Sequence, residues 1–504
     1  MIISIIDCYT DEPSGLGVPP YLGTYPRYIA GQVLSLGHEF FYLRIDDLRY
    51  AFGSKDREIN HKTNIYTKNR TKNTDNADKI LRESDLIIVI AGIQTPGKYL
   101  SAMPGSVNEV LKHIGKYNVK KILSGPAAFA TLQSGGRILN EYYQTSLRQS
   151  FDIIVPGDLW NTLPGLILGK PVNYEQIGSY DKLREIAIKG SMILNQMEMP
   201  VMIELESARG CLRNPGCSFC LEPQKSKPGF RKAKDIIDEA KALKDKGAEH
   251  YRIGKQADFY AIPDIQTLLE GLSALKPKTL HIDNVDPISV LSDKGKKTTE
   301  LIVKYCTAGN VAAFGAESFD ENVIKANNLN SSSNQTLEAI KIINKAGVFI
   351  GGNGSMQYLP GINIILGLIG ETRQTLEKNL EFLRNIREKG LLLRRINIRQ
   401  VDIFPKTAIY SHGLKTLKKN KRHYFSFIRK VREEIDFELL RQTFPAGQVM
   451  KDVFMEIHDG NHTFGRQFGS YPIIVGIEKR IELNRLYDIR IKKHMLRSLT
   501  GEVV

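Results

Sequence analysis

The sequence predicts an α/β protein of three parts: a doubly wound parallel α/β domain, a partial (β/α)6 barrel and a small C-terminal β-barrel. Three observations predict this fold class. Apolar runs of strand length alternate with helical segments over residues 1–165, and the same alternation repeats six times over residues 195–412. Short strands separated by turns then occupy residues 441–504, after a basic connector helix at residues 413–440.

The composition is typical of a soluble globular protein. Of the 504 residues, 42% are hydrophobic and 25% are charged. No apolar run approaches the roughly 18 to 20 residues that a membrane span needs. The opening Met1 to Ile6 runs into Asp7 without a basic leader, so it predicts a strand and not a signal peptide. We therefore expect a cytoplasmic, reducing location and no membrane partner.

The net charge of +15 indicates a surface that attracts polyanions. Nucleic acid is the leading candidate for such a partner. The alternative is a solvated lysine-rich surface, which is common in thermophilic proteins rich in ion pairs. Charge by itself does not choose between the two.

The first domain is predicted to hold five strands separated by helices. The predicted strands are Ile2 to Ile6, Phe40 to Ile45, Asp85 to Ala91, Val119 to Leu123 and Ile153 to Val155. The predicted helices are Tyr28 to Leu36, Asp78 to Glu83 and Val107 to Lys116. Ligands of such sheets bind at the carboxyl ends of strands, where turn-rich loops follow at Asp11 to Gly23, Gly92 to Gly97 and Ser124 to Ala127. Residues 49–77 are polar and predict a long surface loop.

Three of the five cysteines lie within ten residues of one another, directly after the predicted strand Pro200 to Glu206. They are Cys211, Cys217 and Cys220, with the spacing C-x5-C-x2-C. Thiolates are soft ligands, and three on one loop can hold three irons of a [4Fe–4S] cube while the fourth iron stays open to a substrate. The spacing therefore favours an iron–sulfur site.

Zinc and a disulfide are the alternatives for these cysteines. A structural zinc site would need a fourth ligand from a distant strand, and His250 or His281 could supply it. A disulfide is disfavoured because the cysteine count is odd and nothing indicates an oxidising compartment. Cys8, beside a strand end, is expected to be a packed thiol.

The run Glu204 to Cys211, followed by Cys217-Ser-Phe-Cys220, resembles the radical S-adenosylmethionine (SAM) superfamily, especially its methylthiotransferase and cobalamin-binding branches. Those branches usually read R-G-C-x3-C-x-F-C, whereas this sequence has two extra residues between the first and second cysteines. The resemblance implies that the cluster reduces SAM at its open iron to give a 5′-deoxyadenosyl radical. It also implies a reductant that supplies one electron. It does not identify a catalytic residue.

Six strand–helix units are predicted in the second part, and the functional loops of such barrels follow the strand carboxyl ends. The predicted strands are Val201 to Leu205, Tyr251 to Gly254, Thr279 to Asp283, Val311 to Phe314, Ile362 to Leu368 and Arg395 to Phe404. The predicted helices are Ala233 to Lys246, Asp264 to Leu275, Lys297 to Cys306, Ser333 to Lys345 and Gln374 to Lys389.

The resemblance also implies SAM contacts at these strand ends. Phe219 would lie beside the adenine. Glu317 and Ser318 stand where relatives have a G-x-E-S-G-S signature that contacts the ribose and the methionine end. Gly367 begins a turn similar to their G-x-P-G-E-T, in which glycine allows close approach of the adenine.

Two further candidates follow from position in a strand. Gly254 ends the second predicted barrel strand and is a candidate cofactor contact. Arg399 alternates with Ile398, so its side chain lies on the opposite face and is a candidate clamp for the SAM carboxylate. A structural ion pair is the alternative for Arg399.

The first domain resembles the cobalamin-binding-like domain that precedes many radical SAM barrels. It lacks the D-x-H-x-x-G motif that carries the lower axial histidine, and His38 is expected to end a helix. Cobalamin can bind without that histidine, so it stays open as a cofactor. Methylthiotransferases carry three further cysteines in this domain, whereas this chain has only Cys8 there, so sulfur insertion is disfavoured.

The C-terminal part resembles the TRAM domain, a small β-barrel of tRNA-modifying enzymes. The resemblance rests on Gly465-Arg466 after the first hairpin, on the alternating strand Tyr487-Asp-Ile-Arg-Ile and on the terminal Leu-x-Gly-Glu-Val. The predicted strands of this part are Val453 to Ile457, Pro472 to Ile477 and Leu486 to Ile491. The resemblance implies tRNA or another RNA as a partner. The basic connector adds cationic residues and an apolar flank, which are Lys415, Lys418, Lys419, Lys421, Arg422, Phe425, Phe427 and Ile428.

The sequence therefore predicts a radical SAM transferase that modifies tRNA by methylation or a related group transfer. The alternative is a cobalamin-dependent radical SAM methyltransferase that acts on a protein side chain or a small molecule. The oligomeric state does not follow from the sequence.

Overall fold

The computed structural model describes residues 1–10, 21–53, 69–92, 104–129, 138–198 and 200–504. Contacts divide the chain into two compact units. The first unit comprises Met1–Leu205 and Lys234–Tyr251, and the second comprises Glu206–Ala233 and Arg252–Val504. Most of the predicted loops at Asp11 to Gly23 and Gly92 to Gly97 lies outside the described residues. No helix within those residues combines the length and the apolar composition that crossing a bilayer requires.

The chain up to Leu205 contains seven described strands and seven α-helices. The strands are β1 Ile2–Asp7, β2 Tyr21–Leu22, β3 Glu39–Arg44, β4 Leu86–Ile90, β5 Lys120–Ser124, β6 Ile153–Ile154 and β7 Met202–Glu206. The helices are α1 Thr24–Ser35, α2 Ile45–Phe52, α3 Ala77–Glu83, α4 Val107–Ile114, α5 Glu141–Ser150, α6 Leu159–Ile167 and α7 Leu183–Gly190.

The main sheet of the first unit has the strand order β3-β1-β4-β5-β6. Every described pairing in it is parallel, with Ile3 opposite both Phe40 and Leu86. All five residues of β4 are buried, as expected for an apolar strand of a parallel sheet that is covered on both faces. The prediction of a parallel α/β domain is confirmed.

The predicted strand Phe40 to Ile45 ends one residue early, and helix α2 follows at once. Asp46 and Asp47 lie in the first turn of α2, and the Arg44 backbone N–H donates to Asp47 Oδ2 at 2.6 Å. Carboxylates stabilise a helix N-terminus through its unpaired N–H groups. Part of the loop predicted at residues 49–77 is therefore helical, and residues 54–68 lie outside the described residues.

Residues 206–412 contain the remaining elements of the predicted barrel. The strands are β8 Ala208–Arg209, β9 Gly229–Phe230, β10 His250–Gly254, β11 Thr279–Ile282, β12 Asn310–Glu317, β13 Tyr358–Leu366 and β14 Arg395–Gln400. The helices are α8 Glu222–Lys225, α9 Ala233–Lys244, α10 Ile265–Ala274, α11 Pro287–Leu291, α12 Asp293–Tyr305, α13 Glu321–Ala326, α14 Ser333–Gly347 and α15 Arg373–Glu388.

Strands β12, β13 and β14 of the second unit pair in parallel, as the barrel prediction requires. β13 lies between β12 and β14, with Ile362 opposite both Phe314 and Ile396. Strand β10 lies beside β11, and a bridge from Val285 to Phe314 continues from β11 to β12. The last barrel strand was predicted from Arg395 to Phe404, but β14 ends at Gln400. Phe404 instead lies in a turn, in which its carbonyl accepts from the Thr407 N–H.

The C-terminal segment forms a closed five-stranded barrel after two helices, which confirms the predicted small β-barrel. The helices are α16 Lys415–Lys430 and α17 Phe437–Thr443, and the strands are β15 Val449–Asp459, β16 His462–Gln467, β17 Ile474–Ile477, β18 Leu486–His494 and β19 Ser498–Val503. The strand order around the barrel is β15-β16-β17-β19-β18. A buried ion pair joins Arg466 to Glu456 at 2.6 Å, with side chains 0% and 1% exposed.

The β16–β17 loop docks this small barrel on strand β11. Thr279 Oγ1 donates to the Phe468 carbonyl at 3.3 Å, the Ser470 N–H donates to His281 Nδ1 at 3.1 Å, and the Tyr471 hydroxyl donates to Asp283 Oδ1 at 2.7 Å. Thr279 and His281 of β11 and Asp283, which directly follows the strand, alternate along the chain, so their side chains share one face. The loop therefore lies along the length of the strand.

His281 makes this docking dependent on pH. Burial lowers the pKa of His281 to about 4, and its Nε2 faces the Ala308 carbonyl at 3.2 Å. Because the unfolded histidine titrates near 6.5, the folded state binds fewer protons between those values, and stability falls as pH falls. We expect the free energy of unfolding of His281→Gln to fall by about 2 kcal/mol less than that of the wild type between pH 7 and pH 5. Denaturant unfolding at the two pH values measures the difference. Equal losses would contradict this assignment.

Candidate functional site

The cysteine loop follows strand β7 and the two-residue strand β8. The side chains of Cys211, Cys217 and Cys220 are partly buried. The Cys220 N–H donates to the Cys217 carbonyl at 3.1 Å, which forms a tight turn between the second and third cysteines. The structure thus places all three predicted ligands on one loop at the carboxyl end of a barrel strand.

The loop is held by residues that are distant in sequence. Ser218 donates to Asn327 twice, from its N–H to the carbonyl at 2.9 Å and from its hydroxyl to Oδ1 at 2.8 Å. Asn328 Nδ2 donates to the carbonyls of Pro215 and Gly216 at 2.9 and 3.0 Å. These bonds support the long segment between the first two cysteines, where this sequence departs from the usual spacing. The longer loop is therefore an ordered part of the site.

Arg213 is a loop residue that the sequence analysis missed. Its backbone N–H donates to Cys211 Sγ at 3.4 Å, and its guanidinium donates to Cys217 Sγ at 3.1 Å and to the Asn328 carbonyl at 2.7 Å. Burial raises the pKa of the Cys217 thiol to about 11, and the Arg213 charge opposes that rise. Hydrogen bonds to a sulfur favour its thiolate form. The only sequence signal was its place between two candidate ligands.

Three thiols on one loop are a suitable donor set for an iron–sulfur cube. Within the described residues, no group of three His, Cys, Asp or Glu side chains converges as a single metal ion requires. A cube differs because each thiolate binds a separate iron. His281 is not available as a fourth zinc ligand, because its two ring nitrogens face the Ser470 N–H and the Ala308 carbonyl.

Glu317 has the most unusual environment of the predicted SAM contacts. It ends β12 at a shift in the strand register, and its backbone is left-handed, with φ of 63°. Its Oε2 is buried and accepts no hydrogen bond from any described residue. Burial raises the pKa of this carboxyl to about 8, and the Arg399 charge opposes the rise. A strained residue with an unsatisfied buried acceptor is suited to receive a donor from a ligand.

Phe219 and Gly367 lie close to one apolar cluster beside the cysteine loop. Phe219 and Cys217 pack against residues that include Leu368, Val401 and Ile409. At Gly367, which has φ of 92°, a Cβ atom would meet Leu417 at 2.7 Å. The side on which that Cβ would project is therefore filled by protein atoms.

Gly254 and Ser318, two of the predicted cofactor contacts, form hydrogen bonds with other residues of the protein. The Gly254 carbonyl accepts from the Ser207 N–H at 3.1 Å. The Ser318 hydroxyl accepts from the Asp320 N–H at 3.3 Å and lies 3.5 Å from Asn379 Oδ1. The geometry thus groups Cys217 with Phe219, and the Arg399 charge acts to lower the pKa of Glu317, which burial raises. The geometry does not bring Gly254 or the Ser318 hydroxyl to the cysteine loop.

We expect Glu317→Gln to weaken SAM binding about 10- to 100-fold, since a hydrogen bond to a charged group contributes roughly 1.5–3 kcal/mol. The substitution keeps the size of the side chain and replaces the carboxyl, whose raised pKa an adjacent ammonium group would lower toward the charged form, with a neutral amide. Equilibrium binding of SAM to cluster-loaded protein measures the effect. Glu338→Gln, at an exposed residue of α14, is the control, and equal affinities of the two variants would remove Glu317 from the SAM site.

Comparisons with known proteins agree with this geometry. The family model described as "Radical SAM superfamily" matches residues 205–383. An uncharacterized protein of Methanocaldococcus jannaschii is 39% identical, over 99% of this chain and 93% of its own length. One of Archaeoglobus fulgidus is 36% identical, over 99% of this chain and 90% of its own length.

Two solved structures share the fold at low sequence identity. The first is the radical SAM methyltransferase TsrM of Kitasatospora setae with cobalamin and a [4Fe–4S] cluster bound. Its TM-score is 0.52 at 12% identity, over 81% of this chain and 77% of that chain. The second is the cobalamin-dependent SAM radical enzyme OxsB, with a TM-score of 0.50 at 14% identity, over 85% of this chain and 56% of that chain.

Proposed function

Since the chain belongs to the radical SAM superfamily, we propose that it transfers a methyl or related group to an RNA, with tRNA as the leading substrate. A [4Fe–4S] cluster and SAM are its cofactors. The observation that carries the proposal is the cysteine loop with its three thiols, where the Arg213 backbone N–H donates to Cys211 Sγ and the Arg213 guanidinium donates to Cys217 Sγ.

Each residue of the site has a defined task in this proposal. Cys211, Cys217 and Cys220 hold the cluster, which when bound supplies the electron for reductive cleavage of SAM. Arg213 donates hydrogen bonds to two sulfurs and so favours their thiolate forms. Glu317 offers a buried carboxylate oxygen to the ammonium group of the methionine moiety. Phe219 would contact the adenine of SAM, and Arg399 would bind its carboxylate.

Two features support RNA as the substrate. The chain has a net charge of +15, which suits a polyanionic partner. The C-terminal segment forms a closed five-stranded barrel, the architecture expected from its resemblance to the TRAM domain. A reducing cytoplasm with a one-electron donor is the setting that this chemistry needs.

Cobalamin-dependent methyl transfer to a protein side chain or a small molecule is the second candidate. It is favoured by the parallel sheet β3-β1-β4-β5-β6 and by the fold shared with two cobalamin-dependent enzymes. Residues 11–20 and 93–103, which come after strands β1 and β4 in the sequence, lie outside the described residues. His38 follows α1 and lies 3.5 Å from the N-terminal amine, as expected for a residue at a helix end.

Anaerobic reconstitution tests the proposed chemistry. The protein should bind about four irons per chain and, once reduced, cleave SAM to 5′-deoxyadenosine. Stoichiometric zinc without SAM cleavage would refute the enzyme assignment. Bound cobalamin should be base-off without a histidine ligand, and full substrate turnover by cobalamin-free protein would exclude the second candidate.

A further inference from the structure

Helix α16 presents an unusual outer surface. Its sixteen residues, Lys415–Lys430, include five lysines and two arginines and no acidic residue. Lys418, Arg422, Phe425 and Arg429 follow one another at spacings of four, three and four, so they form one stripe along the helix. All four are exposed, and the Phe425 side chain is 77% exposed. We call this stripe the α16 face.

The opposite side of the helix is fixed to the barrel. Asn420 Nδ2 donates to the Glu371 carbonyl at 2.8 Å, and the Tyr424 hydroxyl donates to Glu371 Oε1 at 2.5 Å. Leu417 packs against Gly367. These contacts anchor α16 on the turn that follows strand β13, and they determine which side of the helix meets solvent.

The same turn is connected to the cysteine loop. Asn327 Oδ1 accepts from the Ile369 N–H at 3.1 Å and from the Ser218 hydroxyl at 2.8 Å. The Ile409 N–H also donates to the Ser218 carbonyl at 2.9 Å, and the next residue, Tyr410, is 53% exposed. A cationic helix with an exposed aromatic ring therefore starts close to the predicted cluster ligands.

From this arrangement we propose that the α16 face binds the RNA substrate, with its cations on successive phosphates and an unpaired base stacked on Phe425. The inference rests on the proposed function and adds the surface through which the substrate is held. The stripe from Lys418 to Arg429 is about 16 Å long, which is enough for consecutive phosphates of one strand. Aromatic stacking suits single-stranded RNA because unpaired bases expose their faces.

The charges of the α16 face lack a carboxylate partner among the described residues, and Arg422 Nε donates instead to His423 Nε2 at 3.1 Å. None of Lys418, Arg422 and Arg429 forms a salt bridge with a described residue, whereas the basic residues of other helices often do, as Arg384 pairs with Glu434 at 2.6 Å. Unpaired like charges on one helix repel one another. A polyanion that binds there relieves this repulsion and releases its own counterions.

A membrane surface fits this helix less well than RNA. A helix that lies in a bilayer interface inserts a broad apolar side. In α16 the apolar side, with Tyr424 and Phe427 at 2% and 4% exposure, is already buried against the protein. Phe425 alone among the aromatic residues of α16 is exposed.

Filter binding of bulk tRNA over a salt series tests the proposal with the full-length protein. We expect the triple variant Lys418→Gln, Arg422→Gln, Arg429→Gln to lower affinity at least tenfold, and to reduce the slope of log affinity against log salt by about two units. Phe425→Ala should lower affinity about tenfold with little change in slope, and Phe425→Trp should restore it. Point substitutions are needed because deletion of the C-terminal barrel would also break the hydrogen bond from the Tyr471 hydroxyl to Asp283.

The matched control removes three lysines from another exposed helix, α12, through Lys294→Gln, Lys297→Gln and Lys304→Gln. It should change tRNA affinity less than threefold. Equal losses in the two triple variants, or binding to anionic phosphatidylserine vesicles but not to tRNA, would overturn the proposal. SAM cleavage by the same reduced proteins distinguishes the two failures. If the triple variant on α16 cleaves SAM and binds tRNA as the wild type does, only the α16 face is rejected. If the wild type does not cleave SAM, the proposed function is rejected.

Discussion

Cys217→Ala is expected to abolish both iron loading and SAM cleavage. Two thiolates remain on the loop after this change, and they cannot hold a cube through three irons. The guanidinium of Arg213 also loses the sulfur to which it donates at 3.1 Å. We expect iron to fall from about four per chain to a small fraction of one, measured by iron analysis and by the visible absorption of the cluster after anaerobic reconstitution.

Cys306→Ala is the matched control for that experiment. Cys306 is buried beside the end of α12, and burial raises the pKa of its thiol well above the usual range. It should therefore be an inert packed residue whose loss costs about 1 kcal/mol of stability and leaves the iron content unchanged. A reconstituted Cys217→Ala protein with wild-type iron and SAM cleavage would show that the cluster is held elsewhere.

Arg27→Met is expected to destabilise the first unit by about 3–5 kcal/mol. Arg27 in α1 pairs with Glu239 in α9, and both side chains are 0% exposed. Arg27 Nε also donates to the Gly23 carbonyl at 3.0 Å, and a further bond goes to the carbonyl of Glu204. Removing the arginine leaves a carboxylate buried without its counter-charge. Denaturant unfolding of the full-length protein measures the loss.

A double variant and a surface variant complete the Arg27 experiment. Arg27→Met with Glu239→Leu should recover most of the stability, because the uncompensated charge is then absent. Arg82→Met removes an ion pair with Asp78 whose side chains are 66% and 42% exposed, and it should change stability little. A loss for Arg27→Met no larger than that for Arg82→Met would contradict the buried-pair assignment.

The sequence by itself determined the main strands and helices and the position of three candidate cluster ligands on one loop. Short apolar runs such as Ile2–Asp7 fold as strands of a parallel sheet that is covered on both faces, and five of the six residues of this strand are buried. The C-x5-C-x2-C spacing determined that three thiols share one loop, since ten residues cannot separate them widely. The strand–helix alternation likewise predicted parallel pairing, because parallel neighbours need a crossover connection.

Only the tertiary structure decided which distant residues complete the site and which side of α16 meets solvent. The sequence grouped Phe425 with Phe427, yet the structure exposes Phe425 and buries Phe427. The tertiary structure also brings Asn327 into contact with Ser218, and Tyr471 into contact with Asp283, which lies 188 residues away in the sequence. Local periodicity reflects only neighbours within a few turns of the chain. Contacts between distant segments depend on how whole elements pack, so no single stretch of the sequence encodes them.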